Sequence, residues 1–327
     1  MLYRLWGYSM DWADRIGSRL KLRDLHILLA VVEWKSMAKA ARHLAVSQPV
    51  VSRAIADLEQ GLGVRLLDRT PQGVEPTIYG RTVLNRGLAV FDELRGSVKD
   101  IGFLLDPMAG ELRIGSNHAI GGGLLPAVLD RLSSQRPRIA FRVKLGDEVM
   151  LHYHDLRERN VDLLLGRVLD VKEDDMNVEV LFEERLYVVA GANNPWTRRR
   201  KVALKELVQE PWTLLPPDTY VGALIVDAFR ASGLAVPHNT VAGYGTELQS
   251  ALLGTGRFLS FLPGSFLRFS GKRLGLRALP IDLPVPPRPV GIVTLKNRTL
   301  SPLAALFIDC ARSVSKLLTE MSSSRRR

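Results

Sequence analysis

A short run of residues, from Ser47 to Arg53, carries side chains that proteins use to read the edges of DNA bases. Gln48 can pair bidentately with adenine, and Arg53 can pair with guanine or with a phosphate. Pro49 or Val50 can contact the methyl group of thymine. These residue types therefore favour recognition of double-stranded DNA. The candidate contacts in this run are Ser47, Gln48, Pro49, Val50, Ser52 and Arg53.

Two short helices joined by a turn are needed to hold this run in place. Residues 40–41 are alanines, which give the first helix a small face that allows close packing, and residues 45–46 make the turn. Ser47 is a favourable N-cap, and Pro49 falls in the first turn, where its missing N–H costs nothing. The inward positions of the second helix recur at helical spacing and are Val51, Ile55, Leu58 and Leu62. The pattern predicts a helix-turn-helix whose second helix enters a major groove with its N-terminus first.

A candidate wing follows the second helix. Residues 63–70 and 74–77 have the character of two short strands, joined by Pro71, Gln72 and Gly73. Such a hairpin would place Arg69 and Thr70 where their side chains can contact the DNA backbone. A structural helix pair with a solvated outer face is the alternative interpretation.

The rest of the chain contains a long helix and an α/β region. Residues 80–105 place apolar side chains three and four positions apart, which predicts one amphipathic helix that ends before Pro107. An apolar stripe of this length must be covered, and pairing with a second copy would cover it. From Leu112 onward short strand and helix patterns alternate, which predicts a parallel sheet.

Composition excludes several classes of protein. The chain has 327 residues and a net charge of +11, but residues 1–106 carry 15 Lys and Arg against 12 Asp and Glu, so bulk charge does not locate a DNA-binding segment. The single cysteine, Cys310, excludes an intramolecular disulfide and a Cys-rich zinc site. Residues 121–123 are glycines without the Lys-Ser/Thr of a phosphate loop, and no organised nucleophile motif occurs. No apolar run reaches the roughly 20 residues that span a bilayer. We expect a cytoplasmic protein with no membrane partner, no cofactor, no metal and no enzymatic activity.

Segment 36–70 closely resembles the N-terminal domain of LysR-type transcriptional regulators, which show the pattern AA-x-x-L-x-x-SQP-x-x-S-x-x-I-x-x-LE-x-x-LG-x-x-LF-x-R. The matching residues are Ala40, Ala41, Leu44, Ser47, Gln48, Pro49, Ser52, Ile55, Leu58, Glu59, Leu62, Gly63, Leu66 and Arg69. Leu67 stands where the family usually has Phe. Thr77 and Gly80 match the residues before the family's linker helix, and the resemblance continues through 112–115, 124–126, 162–166 and 259–263.

The resemblance implies an α/β protein with an N-terminal winged helix-turn-helix, a long linker helix and a two-lobed effector domain like a periplasmic binding protein. It implies a dimer, usually assembled into a tetramer, that binds double-stranded promoter DNA and a small-molecule effector, with RNA polymerase as a further candidate partner. The expected boundaries are 1–20 for an N-terminal extension, 21–79 for the DNA-binding domain, 80–107 for the linker helix, 108–318 for the effector domain (lobe I at 108–188 and 290–318, lobe II at 190–284) and 319–327 for a basic tail.

By the same resemblance, the effector binds between the two lobes. The residues that follow the corresponding strands are Asn117, His118, Ala119, Asp147, Arg167, Asp218, Thr219 and Thr246. Ala119 replaces a common Ser or Thr, so one common effector hydrogen bond is missing. Phe258 replaces a common Gly, so we expect the pocket floor to differ. Hydroxyl-binding groups, together with a likeness of residues 72–79 to the sugar-responsive, galactose-binding-protein-regulator-like branch, favour a sugar or polyol, while Arg167 and His118 would suit an aromatic or dicarboxylic acid.

Two other classes of protein remain as alternatives. A two-lobed enzyme or solute-binding protein would need a catalytic constellation or a secretion signal, and the sequence shows neither. An architectural DNA-binding protein would leave the two-lobed region without a role.

Overall fold

Three short helices and a two-stranded hairpin form most of the first of two units into which the chain divides, one up to Arg95 and the other from Gly96. The computed structural model describes residues 20–71, 73–146, 149–168, 173–238 and 240–324. The elements that begin in the first unit are α1 (Leu22–Glu33), α2 (Met37–His43), α3 (Gln48–Leu62), β1 (Leu67–Thr70), β2 (Gly73–Pro76) and α4 (Ile78–Leu105).

The apolar spacing of the sequence explains the core of this unit. Val51, Ile55 and Leu58 of α3 are buried as predicted. The small side chain of Ala40 is fully buried in the same cluster. Between α2 and α3 the chain turns through Ala45, which adopts a left-handed φ of 53°. The sequence-predicted helix-turn-helix is therefore present.

Hydrogen bonds attach the hairpin to α3. The carboxylate of Glu59 accepts hydrogen bonds from the backbone N–H groups of Leu66, at 2.7 Å, and Leu67, at 3.3 Å. β1 and β2 then pair antiparallel, with Thr70 opposite Gly73 at the turn. Glu59 thus connects α3 with the first residues of the predicted wing.

The start of α4 is fixed against the same segment. The hydroxyl of Thr77 donates to the carbonyl of Arg65 at 2.8 Å and accepts from the N–H of Gly80 at 3.1 Å. A Cβ on Gly80 would lie 2.1 Å from the carbonyl oxygen of Leu66. Only glycine fits at this position, which explains the Thr and Gly found before the linker helix.

α4 has an apolar face that the chain itself leaves exposed. Leu84 and Gly87, near its start, are buried. Its later turns expose large apolar side chains, which are Val90, Leu94, Val98, Ile101, Leu104 and Leu105. The helix has 28 residues, a length of about 42 Å.

The second unit alternates strands and helices. In chain order its elements are β3 (Ala109–Ser116), α5 (His118–Gly121), α6 (Leu124–Gln135), β4 (Arg138–Leu145), α7 (Val149–Arg157), β5 (Leu163–Arg167), β6 (Met176–Glu184), β7 (Leu186–Gly191), β8 (Trp212–Leu214), α8 (Tyr220–Ala231), β9 (Thr240–Ala242), α9 (Thr246–Gly254), β10 (Leu259–Pro263), α10 (Gly264–Phe266), β11 (Leu276–Ala278), β12 (Arg288–Leu295) and α11 (Pro302–Ser324). Short 3₁₀ turns occupy Pro195–Arg198 and Leu204–Leu207, and a π-helical turn occupies Leu267–Gly271.

Two five-stranded sheets define two lobes. The first sheet has the order β4-β3-β5-β12-β6, in which β3 is parallel to β4 and β5, as predicted, while β12 runs antiparallel to β5 and β6. The second has the order β11-β7-β10-β8-β9, with β10, β8 and β9 parallel and β7 antiparallel to both its neighbours. The stacked and edge-on rings of Trp212, Phe229 and Phe261, whose centroids lie 5.4–5.8 Å apart, form the centre of the second lobe.

The chain crosses between the lobes twice. The first crossing is at Arg185, between β6 and β7, and lies earlier than the boundary at 188–190 that the resemblance implied for the two lobes. The reason is that β6 and β7 are separated by one residue without Gly or Pro, so no turn signal marks the boundary. The second crossing lies between Ala278 and Arg288, in a segment that contains Pro280, Pro284, Pro286 and Pro287.

A largely buried ion-pair network joins the middle of β3 to the start of β5 in the first lobe. One carboxylate oxygen of Asp162, which precedes β5, lies 2.7 Å from guanidinium nitrogens of both Arg113 and Arg298. The backbone N–H of Arg113 also donates to Asp162, at 2.9 Å. The network lies at the N-terminal end of β5 and beside the middle of β3, and it does not involve the carboxyl ends of these strands, where parallel sheets usually bind ligands.

Candidate functional site

The N-terminal half of α3 presents a polar surface to solvent. Gln48, Ser52 and Arg53 are all exposed. Within the residues that the structure describes, none of the three side chains has a hydrogen-bond or ion-pair partner. Ser47 occupies the N-cap position, but its side chain makes no capping hydrogen bond. Their donors and acceptors therefore face solvent and are available to another molecule.

Neighbouring elements add positive charge to this surface. Lys39 and Arg42 of α2 are exposed and were not among the predicted contacts. On the hairpin, the hydroxyl of Thr70 donates to the carbonyl of Gly73 at 3.2 Å, so it holds the turn in shape. Arg69 belongs to β1, and its side chain lies outside the described residues.

In the second unit, a cleft opens between the two lobes at the carboxyl ends of β3, β5 and β6. Its polar lining consists of Asn117, Arg167, Glu184 and Arg288. Its apolar lining is larger and consists of Ala119, Ile120, Leu186, Val221, Leu224, Pro263, Val285, Pro286 and Val290. Two cations and one acid thus lie against a mainly hydrocarbon wall.

The cleft is almost closed. Its cavity measures about 30 Å³, room for about two water molecules. The guanidinium of Arg167 lies 4.6 Å above the ring centroid of Tyr220, which joins the end of β5 in one lobe to the start of α8 in the other. Because drug-sized ligands need cavities of roughly 300 Å³ or more, a metabolite can enter only if the lobes separate.

Glu184 lies half-buried at the first crossing and bonds across the lobes. Its carboxylate accepts a hydrogen bond from the backbone N–H of Ser265 at 3.1 Å and another from the Ser265 hydroxyl. Removal of the carboxylate from water raises the pKa of Glu184, against the opposing effects of the bonds from Ser265 and Gly264 and of the charge on Arg167. The carboxyl group is therefore easier to protonate than an ordinary glutamate.

Two of the three consecutive glycines, Gly122 and Gly123, allow the lobes to approach closely. A Cβ on Gly122 would lie 2.6 Å from the ring of Phe266, and one on Gly123 would lie 3.0 Å from its Cα. The hydroxyl of Ser270 donates to the carbonyl of Gly122 at 2.6 Å. The glycines therefore serve packing between the lobes.

Of the eight residues predicted to bind an effector, the structure brings Asn117, Ala119 and Arg167 together on the cleft lining. The Asn117 carboxamide oxygen caps α5 by accepting from Ile120 at 2.8 Å. Four of the predicted residues are not on the cleft lining, and these are His118, Asp218, Thr219 and Thr246. The eighth, Asp147, lies outside the described residues.

Thr219 has a structural role. Its hydroxyl donates to the carbonyl of Pro216 at 2.7 Å and accepts from the N–H of Gly222 at 3.0 Å, which caps α8. The charged residues that the sequence did not single out are Glu184 and Arg288. Both stand where a strand of the first lobe adjoins a crossing, and this position is the only sequence signal that could have found them.

Comparisons with known proteins match both units. Residues 22–81 match the family described as "Bacterial regulatory helix-turn-helix protein, lysR family". Residues 106–316 match the "LysR substrate binding domain". The transcriptional dual regulator GltC of Bacillus subtilis is 28% identical over 290 residues, which cover 89% of this chain and 96% of GltC. The regulator GbpR of Azospirillum brasilense is 26% identical over 304 residues, covering 92% and 88%.

Solved structures share the fold. A full-length OxyR variant from Pseudomonas aeruginosa has a TM-score of 0.63 and 23% identity, with 91% of this chain and 97% of that chain covered. ArgP from Mycobacterium tuberculosis has a TM-score of 0.65 and 21% identity, with 89% and 96% covered. Within the described residues, no helix combines the length and the apolar character needed to cross a membrane.

Proposed function

The chain belongs to the LysR family of bacterial transcriptional regulators, and from this premise we propose which residues contact DNA and which kind of metabolite controls them. Members of this family are DNA-binding regulators with an effector-binding domain, and the relatives of this chain are regulators rather than enzymes. The finer assignments below rest on the geometry of the two units taken separately.

The DNA-contacting surface is the N-terminal half of α3. Gln48 and Arg53 read base edges or bind phosphate, and Ser47, Pro49, Val50 and Ser52 complete the contact, with Arg69 and Thr70 of the wing against the backbone. The observation that carries this assignment is the set of exposed polar side chains on α3 that have no partner among the described residues. A solvated outer face would also expose polar side chains, and the match of this segment to the family's helix-turn-helix domain is what favours contact with DNA.

Base discrimination tests the role of Gln48. Binding of the DNA upstream of the protein's own gene is measured by fluorescence anisotropy, with each base pair of the protected site replaced in turn. Gln48→Ala should reduce discrimination at one A·T pair by about 1–3 kcal/mol and leave the other positions unchanged. Gln60→Ala, on an exposed later turn of the same helix, is the matched control. Equal losses at every position would contradict base reading by Gln48.

The cleft supports a carboxylate-bearing metabolite as the effector. Arg167 and Arg288 supply cations, while the rest of the lining is mainly hydrocarbon. An acid with an apolar body satisfies both, because guanidinium groups bind carboxylates with two parallel hydrogen bonds. Ligand binding would separate Arg167 from Tyr220 and shift the balance between lobe arrangements by its differential affinity.

A sugar or polyol, favoured by the sequence, is the second candidate. Asn117 on the cleft lining favours it, since an amide can bond to hydroxyl groups. Two other residues that favoured a sugar or polyol in the sequence give it less support. The hydroxyl of Thr219 is occupied in capping α8, and Asp147 lies outside the described residues.

Thermal shift separates the two candidates. Sets of mono- and dicarboxylates and of sugars and polyols are screened against the protein, Arg288→Met and the exposed control Arg277→Met. A ligand present at 100 times its Kd should stabilise the effector unit by about 2.7 kcal/mol. Stabilisation by acids that is lost in Arg288→Met supports the acid. Stabilisation by sugars alone refutes it in favour of the polyol.

The exposed side chains of α4 support a proposal for how the protein assembles. The exposed apolar stripe of α4 would pair in a dimer, and two dimers would form the tetramer. The domain boundaries given above, action in the cytoplasm where the DNA is, and contact with RNA polymerase belong to the same proposal.

A further inference from the structure

A second cavity at the first crossing shares Glu184 with the cleft. Its volume is about 570 Å³, within the range of ordinary ligand sites. Glu184 and Ser265, which bond to each other across the lobes, line one side of it. Leu318 comes from α11 of the first lobe, and Leu267 comes from the turn after β10 in the second. The cavity thus adjoins both lobes at the point where the chain passes between them.

The rim of this cavity is cationic and the wall is apolar. Arg185, Arg268 and Lys272 line it and are exposed. No hydrogen bond or ion pair joins the side chains of these three residues to any other described residue. Among the described lining residues Glu183 is the one exposed acid, so three positive charges stand against one negative charge at the rim.

The wall has a different character from the rim. Buried or half-buried hydrocarbon and aromatic surface comes from Phe182, Tyr187, Leu267, Leu276 and Leu318. Cations above an apolar wall suit a molecule with an acidic head group and an apolar body, since the head group can bond at the rim while the body leaves water.

We propose that this cavity is a second ligand site, distinct from the cleft, that binds an amphipathic anion and through Glu184 senses the cleft. Glu184 lines both spaces. A ligand that changes the bond between Glu184 and Ser265 changes the contact between the lobes. By linkage, lobe arrangement and occupancy of the second site then influence each other to the same extent.

Direct binding without DNA gives the affinity, and hydrogen exchange separates this site from the cleft, for which an acid with an apolar body is also proposed. The full-length protein is titrated calorimetrically with 1-naphthylacetate, and with its neutral isostere 1-naphthylacetamide. The acid should bind at least tenfold more tightly than the amide. The double variant Arg268→Glu, Lys272→Glu should lose at least tenfold in affinity. Arg277→Glu, on β11 between two lining residues but not itself on the lining, should bind as the parent does.

Hydrogen exchange on the parent protein locates the ligand independently of any variant. Bound 1-naphthylacetate should slow exchange in residues 182–187 and 264–276 more than in residues 117–120 of the cleft. In Arg288→Met the protection of residues 182–187 and 264–276 should persist. Protection confined to the cleft, loss of that protection in Arg288→Met, or equal binding of acid and amide would each overturn the proposal. Protection confined to the cleft would overturn this proposal while supporting an acid as the cleft effector, and none of these outcomes bears on DNA binding, so the two proposals can fail separately.

Discussion

The network around Asp162 gives the most precisely defined perturbation of the fold. Only 11% of the Asp162 side chain is exposed, and guanidinium nitrogens of Arg113 and Arg298 both lie 2.7 Å from one of its oxygens. Asp162→Asn keeps the shape of the side chain but removes the negative charge that lies 2.7 Å from both guanidinium groups. Breaking a buried pair by removing one partner costs about 3–5 kcal/mol.

The entropy of unfolding of the second unit relates this loss of free energy to a change in its melting temperature. For about 230 residues the entropy of unfolding is roughly 0.5 kcal/mol/K, so Asp162→Asn should lower the Tm of the second unit by about 6–10 °C. The control is Asp227→Asn, which breaks an exposed pair with Arg230 in which the side chains are 62% and 76% exposed. Such a pair contributes at most about 1 kcal/mol. Differential scanning calorimetry at neutral pH measures both variants.

The pH dependence provides an independent check. Burial alone would raise the pKa of Asp162, but the hydrogen bonds from Arg113 and the charges of Arg113 and Arg298 outweigh it and hold the pKa below its ordinary value. The stabilisation is therefore fully present above the ordinary pKa of about 3.9 and is lost as pH falls through the lower folded value. The gap in Tm between parent and Asp162→Asn should shrink in acid. A variant that melts within about 1 °C of the parent at neutral pH would refute the reasoning, since the same entropy of unfolding would then assign the network less than about 1 kcal/mol.

Two further substitutions test the contacts that shape each unit. Gly80→Ala would place a Cβ 2.1 Å from the carbonyl oxygen of Leu66 and should unfold the wing and weaken DNA binding, measured by anisotropy. The control is Gly96→Ala, on an open face of the same helix, which should stabilise the protein by up to about 1 kcal/mol in a thermal melt. A loss of DNA binding in both variants would show that the clash at residue 80 is not the cause. Tyr220→Leu removes the cation–π contact with Arg167, which is worth about 0.5–2 kcal/mol, and should speed hydrogen exchange in the cleft; unchanged exchange would mean that this contact does not hold the lobes together.

The helix-turn-helix could be predicted because its determinants are local. Spacing alone identified Val51, Ile55 and Leu58 as the buried face of α3, and all three are buried. The turn needed only short-range features, such as the small residues of α2 and a proline in the first turn of α3. The hydrogen bonds that Glu59 makes to the wing depend on a turn of unknown path, so the sequence did not assign a role to this carboxylate.

The cleft was harder to predict because it depends on contacts between segments distant in the chain. A threonine at the start of a helix looks the same in sequence whether it binds a ligand or caps the helix, and Thr219 caps it. Arg288 reaches the lining from the second crossing, and Glu184 reaches it from the first. Phe258, expected to alter the pocket floor, is half-buried beside Arg257 and is not on the lining.

The glycines at 121–123 show the same limit. Their lack of a phosphate-loop pattern was visible, but their use was not. Gly122 and Gly123 are needed because Phe266 packs against them from the other lobe. A sequence shows that a glycine is present, and only the fold shows which backbone or side chain comes close to it.

Salt-dependent binding to specific and scrambled DNA tests most directly whether α3 reads promoter DNA. Anisotropy is measured from about 50 to 200 mM salt on the DNA upstream of the protein's own gene and on a scrambled fragment of equal length. We expect a preference of at least about 10³-fold for the upstream DNA. Arg53→Ala should lose much of this preference if Arg53 reads a base, or lower the salt slope by about 0.9 if it binds a phosphate. Arg230→Ala, which removes the same charge from the second unit, should change neither quantity. Equal affinity for both fragments, with Arg53→Ala and Arg230→Ala indistinguishable, would contradict the assignment of α3 as the DNA-reading helix.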